Sequence, residues 1–174
     1  MRLFLAIELP AEIRQTLATI SRPPVAGLRW TAAEQLHLTL KFLGEVPDGD
    51  VPRLIEALTT TPKPPPIPLV IDGLSLFPPR GRVRIVAANV ADASGSLHRL
   101  AADLEAAFEP LGFPRERRPF AAHVTLARDR VPVPRERLTI DLPRLAFEAW
   151  EYVLMQSHLS NKGSTYTVAA RFRL

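Results

Sequence analysis

The chain has 174 residues, 47% apolar and 23% charged, with a net charge of +4, 18 prolines and no cysteine. That balance describes a single folded domain with room for a real core, and excludes a disordered chain. It also excludes disulfide staples and thiol nucleophiles.

Residues Arg2 to Glu8 read as a buried strand. Their apolar run is too short for a signal peptide or a membrane span, and Pro10 follows soon after, so a cytoplasmic protein is expected. Ala11 to Ile20 reads as a helix with Ile13, Leu17 and Ile20 on one face, ended by Pro23-Pro24. Leu36 to Phe42 alternates as a strand. Asp48 to Leu58 is a second helix, with Asp48 as its N-cap. Thr61 to Pro68 is proline-rich and reads as an extended connector between halves. Leu69 to Phe77 and Val83 to Val90 are strands joined by a turn at Pro78 to Gly81. Ser94 to Phe108 is the clearest helix, with Leu97, Leu100, Ala101, Leu104 and Phe108 in register. Ala121 to Ala127 is a further strand, and Ala146 to Gln156 and Thr165 to Arg171 close the chain around a loop at Ser160 to Ser164.

Two of these strands carry the same tetrad, His37-Leu38-Thr39-Leu40 and His123-Val124-Thr125-Leu126. Each lies at nearly the same relative place in its half, and together they take two of the four histidines. Alternation sends Leu38, Leu40, Val124 and Leu126 to the core and stands His and Thr on the other face, about 6.6 Å apart. A pair of imidazoles can act as general base and general acid, and threonine hydroxyls can donate to phosphate oxygens. Those are the parts that phosphodiester cleavage needs. A lone His-X-Thr on a strand is usually a half-exposed polar face, but a solvated face has no reason to repeat at half-chain distance. Zinc needs a third or fourth ligand, and neither tetrad has one at ligand spacing. Neither metal nor cofactor is therefore expected.

The surroundings identify a family. Leu28-Arg29-Trp30 and the run from Glu34 to Val46 resemble the 2H phosphoesterases, and within them the RNA 2',3'-cyclic phosphodiesterases, also called 2'-5' RNA ligases. Gly112-Phe113, Arg118-Pro119-Phe120 and the run His123 to Arg128 agree, as do Arg2 to Pro10, Gln156 to Ser160 and Tyr166 to Phe172. Two positions depart from the family pattern: Ala122 stands where a proline is usual, and Val83 to Ala87 lacks the usual tryptophan.

The resemblance implies an α+β fold of two pseudo-symmetric lobes, with mostly antiparallel sheets facing a central cleft and helices outside, forming one domain over 1–174. It implies metal-independent hydrolysis of RNA 2',3'-cyclic phosphate ends to 2'-phosphate, with reversible 2'-5' ligation by the same parts. His123 would be the base and His37 the acid. Thr39 and Thr125 would hold phosphoryl oxygens, Arg128 would add charge, and Phe42 would touch a base. By alternation alone Phe42 is a core residue, and Arg128 lies opposite His123, reaching the cleft only by a bend at the strand end. The expected partner is RNA or a nucleotide with a cyclic phosphate end, bound by a monomer with no membrane contact. Small cyclic nucleotides or an ADP-ribose cyclic phosphate are the alternative substrates, and a non-catalytic RNA-end binder the alternative class.

Arginine carries nearly all the positive charge, clustered at Arg80, Arg82 and Arg84, at Arg115, Arg117 and Arg118, and at Arg128 and Arg130. A basic surface favours RNA, but a genome that replaces lysine by arginine throughout explains most of these residues. His98 reads as a surface or boundary residue of its helix, and His158 as a strand-end residue with little weight as a lining of the cleft mouth. Trp30 fits either a core or a base platform.

Overall fold

The strands that bear the two tetrads lie side by side in one antiparallel sheet. The computed structural model describes residues 1–20, 22–160 and 163–174, with the backbone alone at Arg130. In chain order the elements are β1 (Arg2–Glu8), α1 (Ala11–Thr19), β2 (Leu28–Trp30), β3 (His37–Glu45), α2 (Val51–Thr60) and β4 (Ile67–Phe77). Then follow β5 (Val83–Ala91), α3 (Ser96–Phe108), β6 (His123–Val133), β7 (Leu145–Ala149), β8 (Glu151–Ser160) and β9 (Gly163–Arg173).

The sheet runs β7-β4-β5-β6-β3-β1-β8-β9, with β2 added on β6. Each tetrad strand is innermost in its own set of four, β6-β5-β4-β7 on one side and β3-β1-β8-β9 on the other. The sets are not the two halves of the sequence: one joins the start of the chain to its end, and the other takes the middle. They meet through a single pair, Leu38 with Val124. The α+β class and the antiparallel pairing are those expected.

Alternating side chains give the sheet two apolar faces. Leu3, Leu5, Ile7, Leu38, Leu40, Val124 and Leu126 pack toward Ile13 and Leu17 of α1, Leu54 and Leu58 of α2, and Leu97, Leu100, Leu104 and Phe108 of α3. Leu38 and Val124 are fully buried, and covering each contributes about 1.5–3 kcal/mol. On the other face Phe4, Ala6, Val153 and Met155 form a smaller cluster with Tyr166 and Val168. The helices cover one face and leave the other for the histidines.

Several boundaries differ from expectation for local reasons. Asp48 does not cap α2: residues 48–50 form a 3-10 turn, α2 starts at Val51, and Pro52 occupies its first turn, where a missing N–H costs nothing. Helix α3 starts at Ser96 rather than Ser94, because the Asp92 carboxylate accepts the Leu97 N–H at 2.7 Å from outside the helix. The proline-rich connector ends early, since Ile67 already pairs with Ala149. The stretch Ala146 to Gln156 is two strands, β7 and β8, broken at the exposed Trp150. The short β2 was not expected, because three residues show no period. The loop expected at 160–164 includes residues 161 and 162, which lie outside the described residues.

Candidate active site

Antiparallel register builds the site. With Leu38 paired to Val124, the same register turns His37 toward Thr125 and Thr39 toward His123. A local two-fold axis passes between them, and each half supplies one imidazole and one hydroxyl. All four residues are half-buried, on the face away from the helices.

The two histidines are held alike. His37 Nδ1 lies 2.7 Å from the Gln35 carbonyl, and His123 Nδ1 lies 2.7 Å from the Ala121 carbonyl. A carbonyl only accepts, so each Nδ1 carries the proton, and each neutral ring keeps Nε2 as its base. The residue two positions earlier supplies the acceptor in both cases. Nothing in the side chains at 35 and 121 announces it, because the group used is backbone.

A bulge in each strand then reverses the side-chain alternation. In β3, Ala6 pairs with Thr39 and Leu5 with Lys41, so Leu40 is the extra residue. In β6, Ala87 pairs with Thr125 and Val86 with Ala127, so Leu126 is extra. Beyond each bulge the next residue but one returns to the histidine face. Phe42 therefore does not enter the core as alternation predicts; it is 59% exposed, with its ring 6.0 Å from that of Phe4. Arg128 is brought over by the same device, not by a bend at the strand end, since β6 continues to Val133. Phe42 and Arg128 occupy equivalent positions in the two tetrad strands.

The rest of the site was not singled out from sequence. The Phe4 ring lies 4.9 Å from that of His37, and Tyr166 stands edge-on to both Phe4 and His37 at 5.2 Å. Phe77 lies 5.5 Å from His123. Cross-strand neighbours differ between the halves: Glu8 is opposite His37 and ion-pairs with Arg171 at 2.7 Å, whereas Asn89 is opposite His123. Trp30 lies beside Ala127 in β2, partly buried, with the Arg22 guanidinium 5.3 Å from its ring. His98 is exposed on α3, edge-on to Phe120. His158 is exposed on β8 and hydrogen-bonds Thr167 Oγ1 at 2.9 Å. Among the described residues, no group of three or more His, Asp or Glu is placed to hold a metal ion, and no helix is long and apolar enough to cross a membrane.

Electrostatics act on His37. Burial holds the His37 pKa below the ordinary 6.5 against the raising effect of its Gln35 hydrogen bond, and the charges of Arg128 and His123 lower it further. An anion seated against Arg128 cancels part of that effect. In the folded chain His37 binds its proton more weakly than when unfolded, so its contribution to stability is present above pH 6.5 and is lost as the pH falls through its folded pKa. Titration of the ring resonances by NMR is expected to give His37 a midpoint below 6.5 in the free protein. Saturating inorganic phosphate or Arg128→Gln should each raise it; a midpoint unmoved by both would refute the coupling.

Comparison with known proteins gives matches over nearly the whole chain. The family described as LigT-like phosphoesterase matches residues 7–87 and 89–166, with one tetrad in each stretch. The RNA 2',3'-cyclic phosphodiesterase of Thermus thermophilus is 36% identical over all of this chain and 90% of its own length. The enzyme of the same name from Escherichia coli is 33% identical over 99% of this chain and 96% of its own. A crystal structure of a Thermus thermophilus protein superposes with a TM-score of 0.86 at 34% identity, covering 100% of this chain and 98% of that one. That of Escherichia coli LigT complexed with 3'-AMP gives 0.83 at 30% identity, covering 99% and 97%.

Proposed function

The chain belongs to the LigT-like phosphoesterase family, and we propose that it hydrolyses RNA 2',3'-cyclic phosphate ends to 2'-phosphates with His37 and His123 as its proton-transfer groups. The observation that carries this reading is the pair of equivalent imidazoles, each with Nδ1 tied to a backbone carbonyl and Nε2 left for chemistry.

Water attacks phosphorus in line with the P–O3' bond. His123 takes the water proton, the new P–O bond forms, and the P–O3' bond breaks. His37 gives its proton to the departing O3', so the ring leaves a free 3'-hydroxyl and a 2'-phosphate. Thr39 and Thr125 donate to the non-bridging oxygens, and Arg128 balances their charge. Neither step requires a metal. The low proton affinity of His37 fits an acid that is loaded by its substrate. The cyclic phosphate neutralises Arg128, the proton returns to His37, and the acid is ready only when there is something to cleave. With a 5'-hydroxyl in place of water, the same steps join RNA ends by a 2'-5' bond, and run in reverse they open it.

Phe42 offers an exposed aromatic face beside the phosphate site, suited to stacking on the terminal base. Stacking on one base is worth about 1–3 kcal/mol. Phe42→Ala is therefore expected to raise KM about tenfold while kcat changes less than about twofold, read from steady-state kinetics on a short RNA end. Equal losses in kcat would assign Phe42 to the reaction itself.

The test of the activity is the product. A short RNA with a 2',3'-cyclic phosphate, incubated with the protein and EDTA, should yield a 2'-phosphate. A 3'-phosphate would reverse the assignment of the leaving oxygen. Hydrolysis of a small cyclic nucleotide but of no RNA end would favour a small-molecule enzyme, and tight binding without turnover an RNA-end binder.

A further inference from the structure

The positive charge of this protein is gathered in one place. Residues 80–84 and 128–137 hold seven arginines against Asp129 and Glu136. These stretches thus carry five net positive charges, one more than the +4 of the whole chain, and the remainder is slightly acidic. Exchange of lysine for arginine leaves net charge unchanged, so it cannot produce this segregation.

The fold joins the two stretches. Val83 pairs with Val133 and Ile85 with Arg128, so they form the far part of the β5–β6 pair and the turns at its end. Arg80, Arg82, Arg84 and Arg137 are exposed there. A cavity of about 350 Å³ opens among Gly81, Arg82, Pro134, Arg135 and Glu136. Its two guanidiniums are fixed by carbonyls: Arg82 Nε donates to Pro132 O at 2.7 Å, and Arg135 Nη2 to Pro78 O at 2.7 Å. Each guanidinium has five N–H donors, so most remain for an anion, with Glu136 the acidic member of the lining. On the other side of the site, residues 156–160 of β8 and 163–166 of β9 hold no Lys, Arg, Asp or Glu.

The arm begins at the site. Arg128 lies at its base on the histidine face. Ile85 and Val83, two residues apart on β5, pair with Arg128 and Val133, so β6 bulges between them and Val133 stands about 7 Å further along the sheet, with Arg135 two residues beyond. Neither stretch contains an aromatic residue, so bases have nothing to stack on and the backbone is what the arm can read.

We propose that this arm is the track for the phosphates of the single RNA strand that lies 5' of the cyclic end. The proposal rests on the cyclic phosphodiesterase reading of the site and adds to it a preference for RNA ends over mononucleotides. Binding along the arm is sequence-independent and weakens with salt, by about 0.7 in log K per tenfold salt for each phosphate contact on a single strand.

The experiment compares two triple variants. In one, Arg82, Arg135 and Arg137 become Gln; in the other, Arg14, Arg53 and Arg99, one on each helix, become Gln and remove the same charge. Binding of a labelled octanucleotide ending in 2'-phosphate is followed by fluorescence anisotropy between about 50 and 200 mM salt. The arm variant is expected to bind at least about tenfold more weakly at low salt, with a salt slope shallower by about 2. The helix variant should lose less than about threefold. On a nucleoside 2',3'-cyclic phosphate, kcat/KM of the arm variant should match that of the unaltered protein. Equal loss in both variants, or none in the arm variant, would overturn the track. A parallel loss on the mononucleotide would overturn it too, by making these arginines part of the reaction site. Arm-dependent binding by a protein that turns over neither substrate would support the track and reject the proposed chemistry.

Discussion

Replacing either His37 or His123 by alanine is expected to lower kcat on a 2',3'-cyclic-phosphate RNA end by about 10²–10⁴-fold, the usual contribution of one acid or base. The two single losses should be similar, because the two rings are held by equivalent bonds and face each other across the same axis. The double variant should be little worse than either single one, since a proton accepted without one donated advances the reaction no further. Folding should be nearly unaffected by His123→Ala, because the half-buried ring contributes one exposed hydrogen bond. Single-turnover rates with thermal melts beside them check both points. A variant that keeps a tenth or more of the activity would remove its histidine from the mechanism.

The second large effect falls on stability. Lys41 is 2% exposed, and its Nζ donates to Glu105 Oε2 of α3 at 2.5 Å and to the Pro114 carbonyl at 3.2 Å. The bulge in β3 turns this lysine inward and Phe42 outward, so one residue anchors the tetrad strand to α3 and to the segment that leads into β6. Removing one partner of a buried pair strands the other charge, which costs about 3–5 kcal/mol. Lys41→Met is thus expected to lower the unfolding free energy by about 3 kcal/mol in urea titration. Adding Glu105→Gln should return at least half of that, because the stranded charge is gone; the equivalent residue of the other tetrad strand is Ala127, which needs no partner. A single variant as stable as the unaltered protein would mean that the pair contributes no more than its desolvation costs.

Much of this was legible in the residues. The strand β1 follows from its continuous apolar run, buried on both faces, and β4, β5 and the buried stripe of α3 follow from their apolar patterns. The tetrads drew attention to His37, Thr39, His123 and Thr125, and the fold brings these four together on one face. Phe42 shows what period cannot give. A bulge adds one residue to one strand, and every side chain beyond it changes face, yet neither Leu40 nor Lys41 marks the place. Arg128 did leave a sign: alternation sent an arginine toward the core, an improbable place for a charge, and the bulge at Leu126 is the resolution. Phe4, Tyr166 and Phe77 were hidden for another reason. They enter from strands whose own pattern says only that they are buried, and only the sheet order brings them to the histidines. The split of the sheet into the chain's ends and its middle is equally a matter of strand order.

The most direct measurement follows ³¹P resonances while the protein, with EDTA present, acts on a short RNA ending in 2',3'-cyclic phosphate, beside His37→Ala and His123→Ala. The two-histidine account predicts that the cyclic signal gives way to that of a 2'-phosphomonoester, with the conversion nearly abolished in both variants. Conversion that stops with the chelator, or that survives the loss of either histidine, would contradict it.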